Sequence, residues 1–442
     1  MRKIIPFALA LTLPFLLPVP AHPATRAPLG DAVAGYLAPL LQMRDFSGSV
    51  LIAHHGRILV NRGYGFANFE LAVPATASTR YAIGSVSKTF TAAAVLLLAE
   101  RGQVTLGDEI GKLLPGLPWG GQVTIKHLLE HTGGVPDYYV LPDFAARRSQ
   151  PVSLAEFTRW IGTKPLDFAP GTKSNYSNSG YVLLAAIIEK VSGQPYPLYL
   201  RRNIFDPLKM SSTGDLSEAG VTDRLATGYD PGFPPARLQR PVTFDPGWLL
   251  GCGSIYSTTG DLLRWAEAVR HKTLIHDDRF PATYGWGLRQ VFNRRLLEQN
   301  GRLPLGYTSF VGLYPDDDLV VITLSNLQVD LAERIGHDLA AAALGVPYAR
   351  PELRREVPVD PARMAEYAGR YEIAPGFVLA VRADGGRLAL AGPEGDYLPL
   401  EAESDTRFLF RALYTEITFE RDDQGRVSRL DWAGQFKAQR VP

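Results

Sequence analysis

The chain has 442 residues, with 46 Lys and Arg against 45 Asp and Glu and a formal net charge of +1. That balance offers no basic face for nucleic acid or an anionic membrane surface, and a single cysteine, Cys252, excludes an internal disulfide. The length predicts more than one domain and a core large enough to stand without crosslinks.

Residues 1–21 read as a secretory signal. Arg2 and Lys3 form a basic start, Ile4 to Val19 is apolar but broken by Pro6, Pro14 and Pro18, and Val19-Pro20-Ala21 offers small residues for cleavage. The run is too short and interrupted for an anchor, so no stable membrane span is expected once it is removed. Helical spacing of Val33, Tyr36, Leu37, Leu40 and Leu41 predicts a helix over 30–43, with Pro39 kinking or shortening it. Two apolar runs, Val50 to Ala53 and Ile58 to Val60, flank His55-Gly56 and predict a β-hairpin. His54 and His55 are successive strand residues that point to opposite faces, so they read as a hairpin tip rather than a ligand pair.

Tyr81 to Gly102, YAIGSVSKTFTAAAVLLLAERG, predicts a helix buried on all sides. Ser85 and Ser87 can supply capping oxygens, and Gly102 is a natural stop. The apolar run is too short to cross a bilayer. Lys88 follows Ser85 by three positions, which places both side chains on one face within one turn. A serine hydroxyl attacks well only when a base takes its proton, and an amine serves as that base only in surroundings that leave it unprotonated. A helix start also favours negative charge on the serine oxygen. The Ser-x-x-Lys spacing alone is common enough to arise by chance, so it needs context.

LGDEIGKLLPGLP reads as loop-rich, and VTIKHLLEHTGGVPDYY as a short helix ending at Gly133-Gly134. His131 is either a general base or a residue fixing the turn. Leu154 to Ile161 forms an amphipathic helix. Pro170 to Ser179 is a polar, turn-forming loop feeding an apolar helix, Tyr181 to Val191, stopped by Gly193. Tyr176-Ser177-Asn178 sits at that junction, where Ser and Asn can also simply bond to their own backbone.

Ser85-Val86-Ser87-Lys88 followed by Tyr176-Ser177-Asn178 resembles the first two motifs of the serine β-lactamase-related hydrolases. That family includes class C β-lactamases, D-Ala-D-Ala carboxypeptidases, D-aminopeptidases and related esterases. Further segments agree in order: YAIGSVSKTFTA, LLEHTGGVPDY, GCGSIYSTTGDLLRWAEAV from Gly251 to Val269, YGWGL from Tyr284 to Leu288, and Gly306 to Asn326. The likeness covers about residues 30–347. It implies that Ser85 forms an acyl-enzyme, that Lys88 activates it and that Tyr176 relays the proton. Lys88 and Tyr176 would titrate as a pair, so spacing leaves open which of them is the base. It further implies that Asn178 holds Lys88 and a substrate oxygen, and that the oxyanion is caught by the Ser85 N–H and one from an edge strand.

The third motif departs from the family, which shows Lys-Thr-Gly or His-x-Gly. Here the text is LLEQNGRLPLGYTSF. Gln299-Asn300-Gly301 is the preferred alignment, with Leu305 inserted before Gly306-Tyr307; Asn300-Gly301-Arg302 is the other. Either puts a neutral amide in place of the cation, which weakens the β-lactamase and carboxypeptidase readings more than the esterase one. Arg302 could bind a carboxylate instead, or be a solvated strand-end charge. In the preferred alignment its backbone N–H would be the second oxyanion donor.

A helix is expected over 330–344. Residues 345–361 carry Pro347, Pro351, Pro358 and Pro361, as linkers do. Beyond them come short strands: Phe377 to Val381, a turn at Asp384-Gly385-Gly386, Leu388 to Ala391, Ile417 and Phe419, a turn at 422–425, and Val427 to Trp432. These predict a small antiparallel sheet or barrel, similar to the lipocalin-like module often appended to this family, and open to roles as binding module, lid or stabilising cap.

The expected division is thus a signal over 1–21, a hydrolase domain over 30–347, a linker over 348–361 and a β-rich domain over 362–442. The expected fold class is α/β of the α+β type: an antiparallel sheet flanked by helices, a helical subdomain, and a small all-β domain. The resemblance implies an exported serine hydrolase acting on small esters, D-amino-acid peptides or amides, or β-lactams, without metal or cofactor. The expected partner is a small-molecule or peptide substrate, with a cell-wall-derived ligand among the candidates and no nucleic acid. A β-lactamase or D,D-carboxypeptidase proper is one alternative; a catalytically weak penicillin sensor is another. Tyr138, Tyr139 and Trp248 could line the pocket or pack the core.

Overall fold

A run such as Phe90 to Ala99 has no polar side to offer water, and the chain closes around it. The computed structural model describes residues 28–442 except 219, 232–237, 278–279, 282, 375–376, 385 and 393–396. The expected signal at 1–21 and Gly385 of the expected turn lie outside the described residues. In the structure the helix Ser87–Glu100 is buried from Ser87 through Leu98. It packs against the helix Asn178–Ser192, and Trp265 stacks on Phe90 with ring centroids 4.4 Å apart.

Beside this helical layer lies a six-stranded antiparallel sheet. Its order is Gly287–Val291, Arg294–Leu303, Tyr307–Tyr314, Leu319–Ser325, Gly48–His54, Arg57–Tyr64. The N-terminal hairpin joins the C-terminal meander directly, from Gly48 opposite Ser325 to His54 opposite Leu319. The two strands meeting there are covered on both faces, which is why they read as unbroken apolar runs rather than alternating ones. On one face, Val33, Tyr36 and Leu37 of the helix Leu29–Met43 share a core with Ile335 and Leu339 of Ala332–Leu344. On the other, Leu51 and Ile322 join the core of the buried helix. His55 forms the hairpin tip in a left-handed conformation, φ 50°.

Several boundaries differ from expectation. The first helix is not shortened by Pro39 and continues to Met43. The short helix Ile125–Leu129 stops before Gly133-Gly134, because His131 turns left-handed at φ 58°. The helix after the Tyr176 loop starts at Asn178, since the Ser177 side chain accepts the Gly180 N–H and caps it there.

After residue 361 the chain forms a short helix, Pro361–Tyr367, and then eight strands that close a barrel in sequence order. The first strand, Gly369–Ala374, pairs with the last, Phe436–Val441. Four of the strands, Gly369–Ala374, Leu398–Ala402, Arg407–Phe410 and Phe436–Val441, are not singled out by the sequence pattern. Tyr367, Tyr371, Phe408, Phe419 and Leu430 fill the interior. Arg411 ties the barrel to the end of the first helix. Its guanidinium lies 2.6 Å from Asp45 and donates to the carbonyls of Met43 (2.8 Å) and Arg44 (3.0 Å). Among the described residues, no helix is long and apolar enough to cross a membrane.

Candidate active site

Ser85 sits in a tight turn, Gly84–Val86, immediately before the buried helix. Gly84 is left-handed there (φ +53°), and a Cβ on it would lie 3.0 Å from the Arg302 nitrogen. The close approach of the two backbones therefore needs glycine. The expected caps are absent: no side chain caps this helix, and the Ser87 hydroxyl instead accepts the Ile255 N–H at 3.1 Å. That bond ties the helix start to the strand behind it.

Lys88 is 1 % exposed. Its Nζ lies 3.1 Å from Ser85 Oγ and donates to Asn178 Oδ1 and to the Cys252 carbonyl, both at 2.8 Å. Tyr176 OH is 2.7 Å from Ser85 Oγ, and the Tyr176 ring lies 4.8 Å from the amine. Ser85, Tyr176 and Asn178 all keep some contact with solvent. Segments from the nucleophile turn, the buried helix and a distant loop thus converge on one hydroxyl.

His131 lies beside this group, but its Nδ1 accepts the Ser177 N–H at 3.1 Å and its ring rests against Tyr176 with centroids 4.6 Å apart. Burial, reinforced by the Lys88 charge, pushes the imidazole down to about 3. It is neutral at ordinary pH and its basic nitrogen is occupied, so it braces the Tyr176 loop. Tyr138 donates to the Trp248 carbonyl at 2.6 Å and is fully buried, with Trp248 3 % exposed; both belong to the core. Tyr139 stacks on Tyr138 at 4.6 Å and remains partly exposed.

The sheet register decides where the third motif points. Gly301 pairs with Ser309, whose hydroxyl donates to the Ile83 carbonyl at 2.7 Å. A Cβ on Gly301 would stand 2.1 Å from that carbonyl oxygen. Gly301, and with it Gln299, therefore lies on the Ser85 side, because strand residues two apart share a face. Asn300 and Arg302 lie on the other side. Asn300 donates to Glu333. Burial pushes the Asp230 carboxyl up to about 6, against the pull of the Arg302 charge, which also acts on Asp330. The strand thus lays the Gly301 backbone and the Arg302 nitrogen against the turn that carries Ser85, with Gln299 on the same face as Gly301.

One residue was missed from sequence. Asp137 Oδ2 accepts from Asn178 Nδ2 at 3.0 Å, and Oδ1 accepts the Tyr139 N–H at 3.2 Å. Loss of hydration pushes this carboxyl up to about 6, opposed by the Tyr139 N–H and by Lys88. The only hint in the sequence was a Pro-Asp turn before two tyrosines, which fits a local cap just as well.

A helix-flanked antiparallel sheet, with a Ser-x-x-Lys pair on the buried helix and a tyrosine folded over it, defines the β-lactamase/penicillin-binding class of serine hydrolases. The chain matches the family described as Beta-lactamase over residues 33–345 and belongs to it; residues 353–441 match a domain family of unknown function, DUF3471. It is 30% identical to penicillin-binding protein 4* of Bacillus subtilis over 414 residues, covering 86% of this chain and 91% of that one. Protein flp of Staphylococcus aureus is 27% identical over 310 residues, which span 65% of this chain and 60% of that protein. Among solved structures, the D-amino acid amidase of Ochrobactrum anthropi SV3 with D-phenylalanine superposes with a TM-score of 0.65 at 23% identity, covering 72% of this chain and 99% of that one. The octameric penicillin-binding protein homologue of Pyrococcus abyssi gives 0.62 at 23% identity, covering 93% and 98%. The protein is a serine hydrolase of this superfamily.

Proposed function

We propose that Ser85 is the acyl-carrying nucleophile of an exported hydrolase that cleaves small esters or D-amino-acid amides and peptides. The observation that carries this is the placement of Ser85 Oγ between Lys88 Nζ (3.1 Å) and Tyr176 OH (2.7 Å). Asn178 Oδ1 and the Cys252 carbonyl can only accept hydrogen bonds. A neutral amine gives them its two hydrogens, and its lone pair then faces the serine. The serine proton passes to Lys88, directly or through Tyr176, as Oγ bonds to the substrate carbonyl carbon. The resulting oxyanion is held by the N–H groups of Ser85 and Arg302, an arrangement worth several kcal/mol of barrier. The intermediate collapses by breaking the ester or amide bond, and the leaving group takes the proton from the Lys88–Tyr176 pair. Water then attacks the acyl-enzyme by the same route and frees Ser85.

Gln299 in place of a cation supports substrates that lack a free carboxylate near the scissile bond. Export is supported by the basic, then apolar, N-terminal segment. The names of two similar proteins, a penicillin-binding protein and a D-amino acid amidase, agree with acyl transfer on such compounds.

The test is a panel of p-nitrophenyl esters, D-phenylalanine amide, a D-Ala-D-Ala peptide and nitrocefin, assayed with the wild type and Ser85→Ala. Ester or D-amide turnover that disappears in the variant supports the reading. Rapid nitrocefin turnover would make the protein a β-lactamase, and D-Ala release a carboxypeptidase. A stable acyl adduct without turnover would make it a penicillin sensor. A wild type that neither hydrolyses esters nor labels with a serine-directed fluorophosphonate would overturn the proposal.

A further inference from the structure

We infer that Asp137 is a positioning residue for the catalytic lysine, acting through the amide of Asn178. The inference rests on the acyl-enzyme reading above and deepens it. An asparagine amide presents an acceptor at one end and two donors at the other. For Lys88 to have its nitrogen lone pair on the serine, Asn178 must offer it oxygen and never NH2. Nothing in Asn178 itself enforces that choice, since the two orientations have nearly the same shape.

Asp137 enforces it by chemistry. An ionised carboxylate only accepts, so Asn178 Nδ2 at 3.0 Å from Asp137 Oδ2 is pinned, and Oδ1 is left facing Lys88 at 2.8 Å. The carboxylate is itself held. Its second oxygen takes the Tyr139 N–H. Ser179, the neighbour of Asn178, grips the backbone on both sides: its hydroxyl accepts the Tyr138 N–H at 3.0 Å and donates to the Pro136 carbonyl at 2.6 Å. Two successive residues of one helix thus fix the carboxylate and the amide relative to each other. A turn cap alone would need only the Tyr139 bond.

Protonating Asp137 would give it a hydroxyl, and the acid would no longer dictate which end of the amide it receives. The titratable groups facing it are Lys88 from the buried helix, Tyr138 and Tyr139 from its own turn, and the Cys252 thiol from the segment behind. Burial holds the two tyrosines and the thiol protonated well above neutrality, so they do not compete for the proton. The activity profile should therefore carry an acid limb near the Asp137 value of about 6.

The experiment uses the full chain as wild type, Asp137→Asn, Asp137→Ala and Ser85→Ala, with p-nitrophenyl butyrate as substrate across a pH series. Asp137→Asn is nearly isosteric, so folding, checked by circular dichroism and melting, is expected to survive. The expected result is a fall in kcat of about tenfold to a hundredfold with little change in KM, as a misaligned catalytic group produces. The acid limb near 6 should vanish in both Asp137 variants. Unchanged kcat and an unchanged pH profile in folded Asp137→Asn and Asp137→Ala, beside an inactive Ser85→Ala, would overturn this inference alone. A wild type no more active than Ser85→Ala would overturn the acyl-enzyme reading along with it.

Discussion

Two of the three partners of Lys88, the Asn178 oxygen and the Cys252 carbonyl, only accept hydrogen bonds, and the partners of Asp137 only donate. The second situation has a thermodynamic signature that can be read apart from activity. The Asp137 carboxyl is raised from 3.8 to about 6 by burial. A raised folded value means its contribution to stability is fully present below the unfolded value and is lost as pH rises through about 6. A gap of that size corresponds to about 3 kcal/mol. Asp137→Asn should therefore be the more stable protein at neutral pH by up to roughly that amount, an advantage that fades on acidification; urea unfolding at neutral and acidic pH would measure it. Gain of stability with loss of turnover is what a strained functional group gives and a structural one does not. His131 should behave in the opposite way. Its imidazole, pushed down to about 3, should show no NMR titration from mildly acidic to alkaline pH; a midpoint near the ordinary histidine value would contradict the bond to the Ser177 N–H. At this scale the sequence disclosed Ser85 and Lys88, because their relation is local to one turn. It hid Asp137, whose surroundings depend on an amide 41 positions along the chain, that of Asn178.

At the scale of elements, the third-motif strand meets the turn that carries Ser85 through its backbone. Gly301 lies against the Ile83 carbonyl, where a Cβ would stand 2.1 Å from the oxygen. Gly301→Ala must push the strand off the nucleophile turn by a fraction of an ångström or more. A fall in kcat/KM of about a hundredfold is expected, with a stability loss of about 1–3 kcal/mol from overpacking. Equal kcat/KM in the variant and the wild type would show that the Arg302 N–H does not serve the oxyanion. The alternation of the strand was legible once its register was known, but the register depends on Ser309 and the Ile83 carbonyl, which no local pattern encodes. The buried helix was legible from its apolar run. Its start was not, because the Ser87 hydroxyl found a better partner in the Ile255 N–H than in its own helix.

At the scale of the whole molecule, the barrel is fastened to the back of the hydrolase, on the helix Leu29–Met43 that covers the sheet face opposite Ser85. That placement fits a stabilising cap better than a lid. Arg411 and Asp45 are 2 % and 3 % exposed. Burial lifts the Asp45 carboxyl and Arg411 draws it back down. Arg411→Ala would strand that acid and should cost about 3–5 kcal/mol, seen as an earlier melting transition; pairing it with Asp45→Leu should recover most of the loss. A melting curve unchanged by Arg411→Ala would mean that the two units are held together by other contacts. The existence of the second unit was readable from short alternating strands, whereas its attachment was not, since the two anchoring residues are 366 positions apart in the chain.

The pairing of Gly48–His54 with Leu319–Ser325 carries a consequence for how this protein is made. A nascent chain emits Val50, Leu51, Ile52 and Ala53 early, yet the strand that shelters one edge of them is synthesised only after nearly all of the hydrolase has left the ribosome. Until then a greasy ribbon waits without its neighbour, and the cleft around the serine cannot assemble. Biogenesis should lean on holdase protection, and a truncated product ending short of Leu319 should be sticky and inert rather than partly active.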